Sequence, residues 1–95
     1  QVGNNGAMTR PQVDELMSLL SGVPHAVVLD LHVPQPWETP NNALLIAAAA
    51  GRSNIRLAPW HEASASHGNL FWDDMHLRPE GVVVYVGVIT AALGE

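Results

Sequence analysis

The sequence predicts an α/β fold built on a parallel sheet. Segments with helical periodicity alternate with short apolar runs typical of buried strands, in the order helix–strand–helix–strand–helix. Strands in such an alternation are joined by right-handed crossovers, which leave them parallel. The 95 residues suffice for one domain at most, or for part of one.

The first helix is predicted over Thr9–Ser21. Thr9 suits the N-cap, Pro11 fits the first turn, and Gln12 stands at the spacing of a capping box. Gly22 suits the left-handed position that often follows a helix. The helix carries one apolar stripe, formed by Val13, Leu16, Met17 and Leu20.

Two strands and a second helix follow. We expect strands at His25–His32 and Asn54–Ala58, and a helix at Asn41–Ala50 with Thr39 or Asn41 as its cap. The proline-rich stretch before this helix and the segment Trp60–Asp74 are predicted to be loops.

The last segment is ambiguous, because its many valines favour a strand. Pro79 and Glu80 instead suit the first turn of a helix, and Pro79–Leu93 is long for a strand. We predict a helix here, buried over much of its circumference.

Composition excludes several classes of protein. A 47% hydrophobic content with 14% charged residues argues against a disordered tail. Four Lys+Arg against nine Asp+Glu give a net charge of −5, so nucleic acid is not an expected partner. The chain has no cysteine. Because no basic-plus-apolar segment opens it and no apolar run approaches ~18 residues, we expect neither a leader nor a membrane span within these residues.

The loop Gly3-Asn4-Asn5-Gly6 precedes the first helix and is one candidate for chemistry. Val2 could end a strand, and functional groups in parallel α/β folds collect where strands end. An Asn side chain there can donate a hydrogen bond to an oxyanion. Taken alone, the loop is more simply an Asn-Gly turn.

Asp73 and His76 form the second candidate, on a loop just before the last helix. Their spacing lets the carboxylate accept from the Nδ1–H of the imidazole and leaves Nε2 free as a base. Many such pairs only cap helices. Metal binding is a rival interpretation, but the other histidines lack metal-site spacing, so no metal or cofactor is expected: His25, His32, His61 and His67.

Three motifs occur along the chain in an order that resembles the C-terminal part of SGNH-family hydrolases. They are the Gly-Asn-Asn-Gly loop, the Val-Pro-Gln-Pro-Trp-Glu loop and the segment Asp-x-x-His-Leu-x-Pro-Glu-Gly. The closest likeness is to SGNH domains appended to membrane acyltransferases that O-acetylate peptidoglycan or other envelope glycans. It runs from Val2 to about Leu93.

The resemblance implies a three-layer αβα sandwich with a parallel sheet, of which residues 1–95 are the C-terminal portion. It assigns catalytic roles to Asp73 and His76, and places Asn5, with Gly3, in an oxyanion hole. The Trp37 loop, the Asn41-Asn42 helix start and the Trp60 strand end also resemble this family, and we expect architectural roles for them.

The family's nucleophile lies in a Gly-Asp-Ser motif, and this chain has none. Its serines have other neighbours: Ser18, Ser21, Ser53, Ser64 and Ser66. Asp74 also stands where the family often has Gly. We therefore expect the nucleophile in an N-terminal segment outside this chain, and the start at Gln1, inside an expected strand, favours a fragment.

The resemblance implies a serine-dependent O-acyltransferase of the cell envelope, using an acyl donor and a glycan. It implies an extracytoplasmic location, tethered to the membrane only through upstream segments. The N-terminal segment of the same domain is the expected protein partner. An SGNH esterase hydrolysing acyl esters, or a non-catalytic scaffold or glycan-binding module with Trp37, Trp60 or Trp72 as stacking platforms, remains the alternative.

Overall fold

The computed structural model describes residues 2–65, 68–73 and 75–94, and it confirms a mixed α/β architecture. Its helices are α1 (Arg10–Leu19), α2 (Glu38–Ala50), α3 (Trp60–Ser64) and α4 (Pro79–Gly94). Strands β1 (Ala26–Leu29) and β2 (Ile55–Ala58) pair in parallel, with Ala26 opposite Ile55 and Leu29 opposite Ala58. Within the described residues, no helix has the length and apolar character needed to cross a membrane.

Helix α1 begins as its sequence predicts but ends differently. Thr9 and Gln12 form a reciprocal capping box: the Thr9 Oγ1 accepts from the Gln12 amide at 3.3 Å, and the Gln12 Oε1 accepts from the Thr9 amide at 2.9 Å. The left-handed position expected at Gly22 is wrong, because Gly3 is the one glycine with positive φ among the described residues. Tight turns end the helix instead, with the Ser21 amide donating to the Ser18 carbonyl.

Helix α2 begins at Glu38, earlier than the predicted Asn41. Pro40 lies in its first turn, where the missing N–H costs no helical hydrogen bond. Asn41 and Asn42 are buried within the helix, and their side chains bond to other parts of the chain rather than capping it. Sequence spacing alone treats an Asn near a helix start as a cap, which is why the boundary was wrong.

The prediction of one loop over Trp60–Asp74 is also wrong. Trp60–Ser64 is a short helix, and Gly68–Leu70 forms a turn of 3₁₀ helix. Trp60, 2% exposed, packs with Leu70 and Phe71. Tertiary burial of this indole orders a segment whose local sequence offers few helix signals. Likewise Val2, expected to end a strand, lies in a turn.

Helix α4 confirms the helical prediction, but not its burial. Val82, Val83 and Val86 are 47%, 73% and 53% exposed, whereas Gly81 and Ala92 are the buried residues of this helix. Gly81 is required at its position, since a Cβ there would collide with the Leu70 carbonyl oxygen. This close approach sets the start of α4 against the segment that carries Asp73 and His76.

Neighbouring residues of β1 belong to two different apolar clusters. Val28 joins a core with α1, α2 and β2, whose buried members are Val13, Met17, Leu45, Ala49 and Ile55. Leu29 packs instead against Trp60, Phe71 and the α4 residues Tyr85 and Val88. Alternate side chains of a strand point to opposite faces, so β1 is covered by helices on each side.

Candidate active site

Residues 71–73 and 75–77 form the two sides of a short hairpin, and Trp72, Asp73 and His76 at its tip are exposed. Phe71 and Leu77 pair in an antiparallel bridge, and the Trp72 amide donates to the His76 carbonyl at 2.8 Å. Phe71 is buried and Leu77 packs on the same cluster. The base of the hairpin is therefore anchored in the core, while the side chains of Trp72, Asp73 and His76 are open to solvent.

Asp73 and His76 form the predicted contact at this tip. The His76 Nδ1 lies 2.7 Å from the Asp73 Oδ2. The other carboxylate oxygen, Oδ1, accepts from the backbone amides of His76 at 2.8 Å and of Met75 at 3.2 Å. These bonds fix the carboxylate relative to the ring. Asp74 lies outside the described residues.

Hydrogen bonding determines which nitrogen of His76 can act as a base. Bonds from the His76 amide and from the His76 ring, in that order, lower the pKa of Asp73 below its usual 3.8. An ionised Asp73 holds the proton on Nδ1 and leaves the Nε2 lone pair available. The His76 side chain is 74% exposed, so a substrate can reach Nε2.

The Gly3–Gly6 loop is more constrained than a simple turn. Gly3 has φ of 85°, and a Cβ there would lie 3.1 Å from a Leu31 methyl and 3.2 Å from the Asn41 Nδ2. Both the conformation and the space therefore require glycine. Asn5 is exposed on this loop, and its neighbour Asn4 has a buried side-chain oxygen without a hydrogen-bond partner.

Asn41 holds this loop in place from helix α2. Its Nδ2 donates to the Gly3 carbonyl at 3.0 Å and to the Gly6 carbonyl at 2.9 Å, and its Oδ1 accepts from the Met8 amide at 2.8 Å. The Trp37 Nε1 adds a bond to the Asn4 carbonyl at 3.1 Å. Asn41 is fully buried. The expected architectural roles of Trp37 and Asn41 thus have a specific form: they position the loop that carries Asn5.

The two candidate loops border the same stretch of chain, just after the carboxyl end of β1. Leu31 lies against Gly3, and the His32 ring lies against Phe71 with centroids 4.3 Å apart. Asn42 fixes this stretch by bonding to both the amide and the carbonyl of Leu31, at 2.7 and 3.0 Å. No described hydrogen bond joins Asn5 to His76, so the structure brings the loops to one end of the sheet without joining them.

A second histidine cluster lies beneath the hairpin, and sequence analysis missed it. The His32 Nδ1 is 2.6 Å from the Ser64 Oγ, which donates to the Trp60 carbonyl at 2.6 Å. Ser64 is 1% exposed. This hydroxyl is buried and committed to a helical carbonyl, so it is unsuited to act as a nucleophile. The residues are far apart in sequence, and only the fold of α3 brings them together.

His61 extends this cluster to the surface, with a side chain 46% exposed, and contacts two further carboxylates. Its Nε2 lies 3.1 Å from the Glu38 Oε1, and its amide donates to the Asp30 Oδ1 at 2.8 Å. Glu38 also accepts from the Val33 amide at 2.8 Å. Burial raises the pKa of Asp30 above 3.8, and the hydrogen bond from His61 opposes that effect. Among residues 2–65, 68–73 and 75–94, no three such side chains converge as metal ligands.

Comparison with known proteins relates the chain to O-acetyltransferases. No protein-family model matches it. It is 37% identical to O-acetyltransferase OatA of Staphylococcus aureus (strain NCTC 8325) over 82 residues, which cover 85% of this chain and 13% of that protein. It is 30% identical over 94 residues to the putative peptidoglycan O-acetyltransferase YrhL of Bacillus subtilis (strain 168), covering 98% of this chain and 15% of that protein.

A putative O-acetyltransferase of Staphylococcus aureus (strain COL) is 33% identical over 94 residues, again 98% of this chain and 15% of that protein. These similarities support an O-acetyltransferase family. The chain spans only 13–15% of the length of these curated relatives.

Proposed function

We propose that this chain is the C-terminal part of an SGNH-type domain that transfers acetyl groups to hydroxyls of a cell-envelope glycan. The observation that carries the proposal is the exposed His76, oriented by Asp73 at 2.7 Å, in a segment similar to O-acetyltransferases. The relatives' names supply the acetyl group and, for YrhL, peptidoglycan. An extracytoplasmic, membrane-tethered location follows from the same proposal.

In this mechanism, His76 moves the protons and Asp73 orients it. The Nε2 takes the proton of a serine hydroxyl as its oxygen attacks the carbonyl of the acyl donor, and then returns that proton to the departing group. In the second half, Nε2 accepts a proton from the sugar hydroxyl that attacks the acyl-serine, and it gives that proton to the serine oxygen as the ester bond to serine breaks. Asp73 stabilises the imidazolium formed at each stage.

Asn5 and Gly3 are the proposed oxyanion donors. The Asn5 side-chain amide and the backbone amides of this glycine loop would stabilise the negative oxygen of the tetrahedral intermediate. The Asn41 bonds to Gly3 and Gly6 support this role, because an oxyanion hole functions only when its donors are held in place.

The serine and the missing layers of the sandwich belong, in this proposal, to a segment outside these residues. Strand β1 pairs only with β2 in the described sheet. A groove along its other edge is lined by Val2, Leu16, Leu20 and Tyr85. A further parallel strand leading to Val2 would fill that groove, complete an αβα sandwich and cover apolar residues now exposed on α4.

His76, Asp73 and Asn5 would also serve an esterase, in which water replaces the sugar hydroxyl. A non-catalytic scaffold is disfavoured, because an Asp73 that only capped the turn would need no more than the backbone bonds to its Oδ1. Asp73 also contacts the His76 ring through its Oδ2, which leaves the Nε2 of His76 accessible. The acceptor therefore distinguishes the first two functions, and His76 distinguishes both from the third.

The test uses the complete protein that contains this chain, with 4-nitrophenyl acetate as acetyl donor and an N-acetylglucosamine oligomer as acceptor. We expect an acetylated sugar by mass spectrometry, a trapped acetyl-serine outside residues 1–95, and loss of both with His76→Ala. Release of acetate alone would identify an esterase. Unchanged turnover in His76→Ala would refute the catalytic assignment.

A further inference from the structure

Trp72 differs from the other two tryptophans of the chain in its exposure. Trp60 is 2% exposed within the core, and the Trp37 Nε1 is bonded to the Asn4 carbonyl. Trp72 is 66% exposed, although the backbone around it is fixed by the hydrogen bond that its amide donates to the His76 carbonyl. An indole offers a rigid apolar face with a polar N–H at its edge, so on a fixed backbone it can serve as a binding platform.

One face of this indole is already covered. The Arg78 guanidinium carbon lies 4.4 Å from the ring centroid, and the Arg78 Nε is 3.4 Å from the Glu80 Oε2. The stacked guanidinium orients the ring. Because Glu80 balances the charge of Arg78, the platform offers an apolar face without net positive charge. That combination disfavours a phosphate-bearing ligand and favours an uncharged one.

We infer that Trp72 is an acceptor subsite on which an uncharged sugar ring, of the N-acetylhexosamine class, stacks by its C–H face. Trp72 adjoins Asp73 in sequence and is hydrogen-bonded through its backbone to His76. A sugar stacked on the indole would therefore lie beside the proposed base. This inference rests on the proposed function for the identity of the ligand.

Calorimetric titration with tetra-N-acetylchitotetraose tests it, using the complete protein with His76→Ala so that binding is measured without turnover. We expect Trp72→Ala to weaken binding about tenfold, the effect of losing one aromatic stacking contact, and Trp72→Phe to restore most of it. Arg10→Ala, which changes a charged side chain 83% exposed at the start of α1, serves as the control and should bind as its parent does.

Unchanged affinity in Trp72→Ala would overturn the subsite, as would equal weakening in Trp72→Phe, which would indicate that the indole N–H and not stacking binds the sugar. Absence of binding by the parent would overturn it as well. The proposed function fails separately, if His76→Ala leaves hydrolysis of 4-nitrophenyl acetate unchanged while the sugar titration still depends on Trp72.

Discussion

Among the residues that the structure describes, two histidines have an Nδ1 atom within 2.7 Å of an oxygen, and they differ in their partner and in their exposure. His76 faces a carboxylate at 2.7 Å on an exposed hairpin, whereas His32 faces the buried Ser64 hydroxyl at 2.6 Å. Only the first combines an acidic partner with access for a substrate. A histidine–oxygen distance therefore identifies a candidate base only together with the partner's charge and the exposure of the ring.

The largest expected effect separates these two histidines. In the complete protein, His76→Ala removes the general base and should reduce turnover by about 10⁴–10⁶-fold, as loss of the histidine does in serine hydrolases. His32→Ala is the matched substitution and should cost stability while leaving kcat within a few-fold. Initial rates with 4-nitrophenyl acetate measure both. Equal losses in the two variants would break the comparison.

Asp73→Asn should lower turnover by about 10⁴-fold while leaving KM largely unchanged. An amide can accept from the backbone with its oxygen but no longer stabilises the imidazolium or the productive tautomer of His76. Ser64→Ala is the counterpart in the buried cluster, and kcat should change little. A pH–rate profile of Asp73→Asn that matches the unchanged protein would contradict the orienting role.

Asn5→Ala should reduce kcat by about 10²–10³-fold, the usual loss for one oxyanion donor. Asn4→Ala on the same loop is the control, because the Asn4 side chain is not the proposed donor. Single-turnover acylation rates give the comparison. If Asn4→Ala causes the larger loss, the oxyanion assignment belongs to Asn4.

Asn41→Ala should destabilise the loop by about 3 kcal/mol, because the partly buried Met8 amide and two partly buried carbonyls lose their partner. In the complete protein, hydrogen exchange should become faster at the Met8 amide while exchange in helix α4 stays unchanged. Turnover measurements should show a lower kcat. Asn54→Ala removes two bonds from a distant loop and should leave kcat unaltered. Unchanged exchange at Met8 would contradict the role of Asn41.

The smallest expected effect is a difference in pH dependence. Asp73 has a lowered pKa, so its contribution to stability is present above 3.8 and is lost as pH falls through its folded value. Asp30 has a raised pKa, so its contribution is present below 3.8 and is lost as pH rises through its folded value.

Relative to the unchanged protein, Asp73→Asn should therefore become less stable as pH rises through the acid range, and Asp30→Asn more stable. Hydrogen exchange of variant and parent at matched pH measures these differences. If the stability of both variants relative to the parent changed in the same direction with pH, the pKa shifts of Asp73 and Asp30 would not be opposite as described.

Local signals accounted for most of the fold. The capping box of Thr9 and Gln12, the proline at the start of α4 and the two apolar runs are short-range patterns, and each produced the predicted element. The contact of Asp73 with His76 was predictable for the same reason, since the residues are close in sequence. Their catalytic roles stay predictions.

The remainder depended on contacts between distant residues. Helix α3 follows from burial of Trp60, and the early start of α2 follows from Asn41 and Asn42 bonding to segments far along the chain. The His32–Ser64 pair has no sequence motif. The exposure of α4 was not predicted either, because a valine-rich helix indicates burial from its sequence alone and does not show which segment would cover it.

The three bonds of Asn41 have a thermodynamic consequence for ligand binding. They satisfy the single acceptor and both donors of one amide, and they tie a glycine-rich loop to a helix. The conformational entropy of that loop is consequently lost when the chain folds rather than when a ligand arrives. A reaction at this loop would begin from donors already in position, without an ordering step that slows or weakens the encounter.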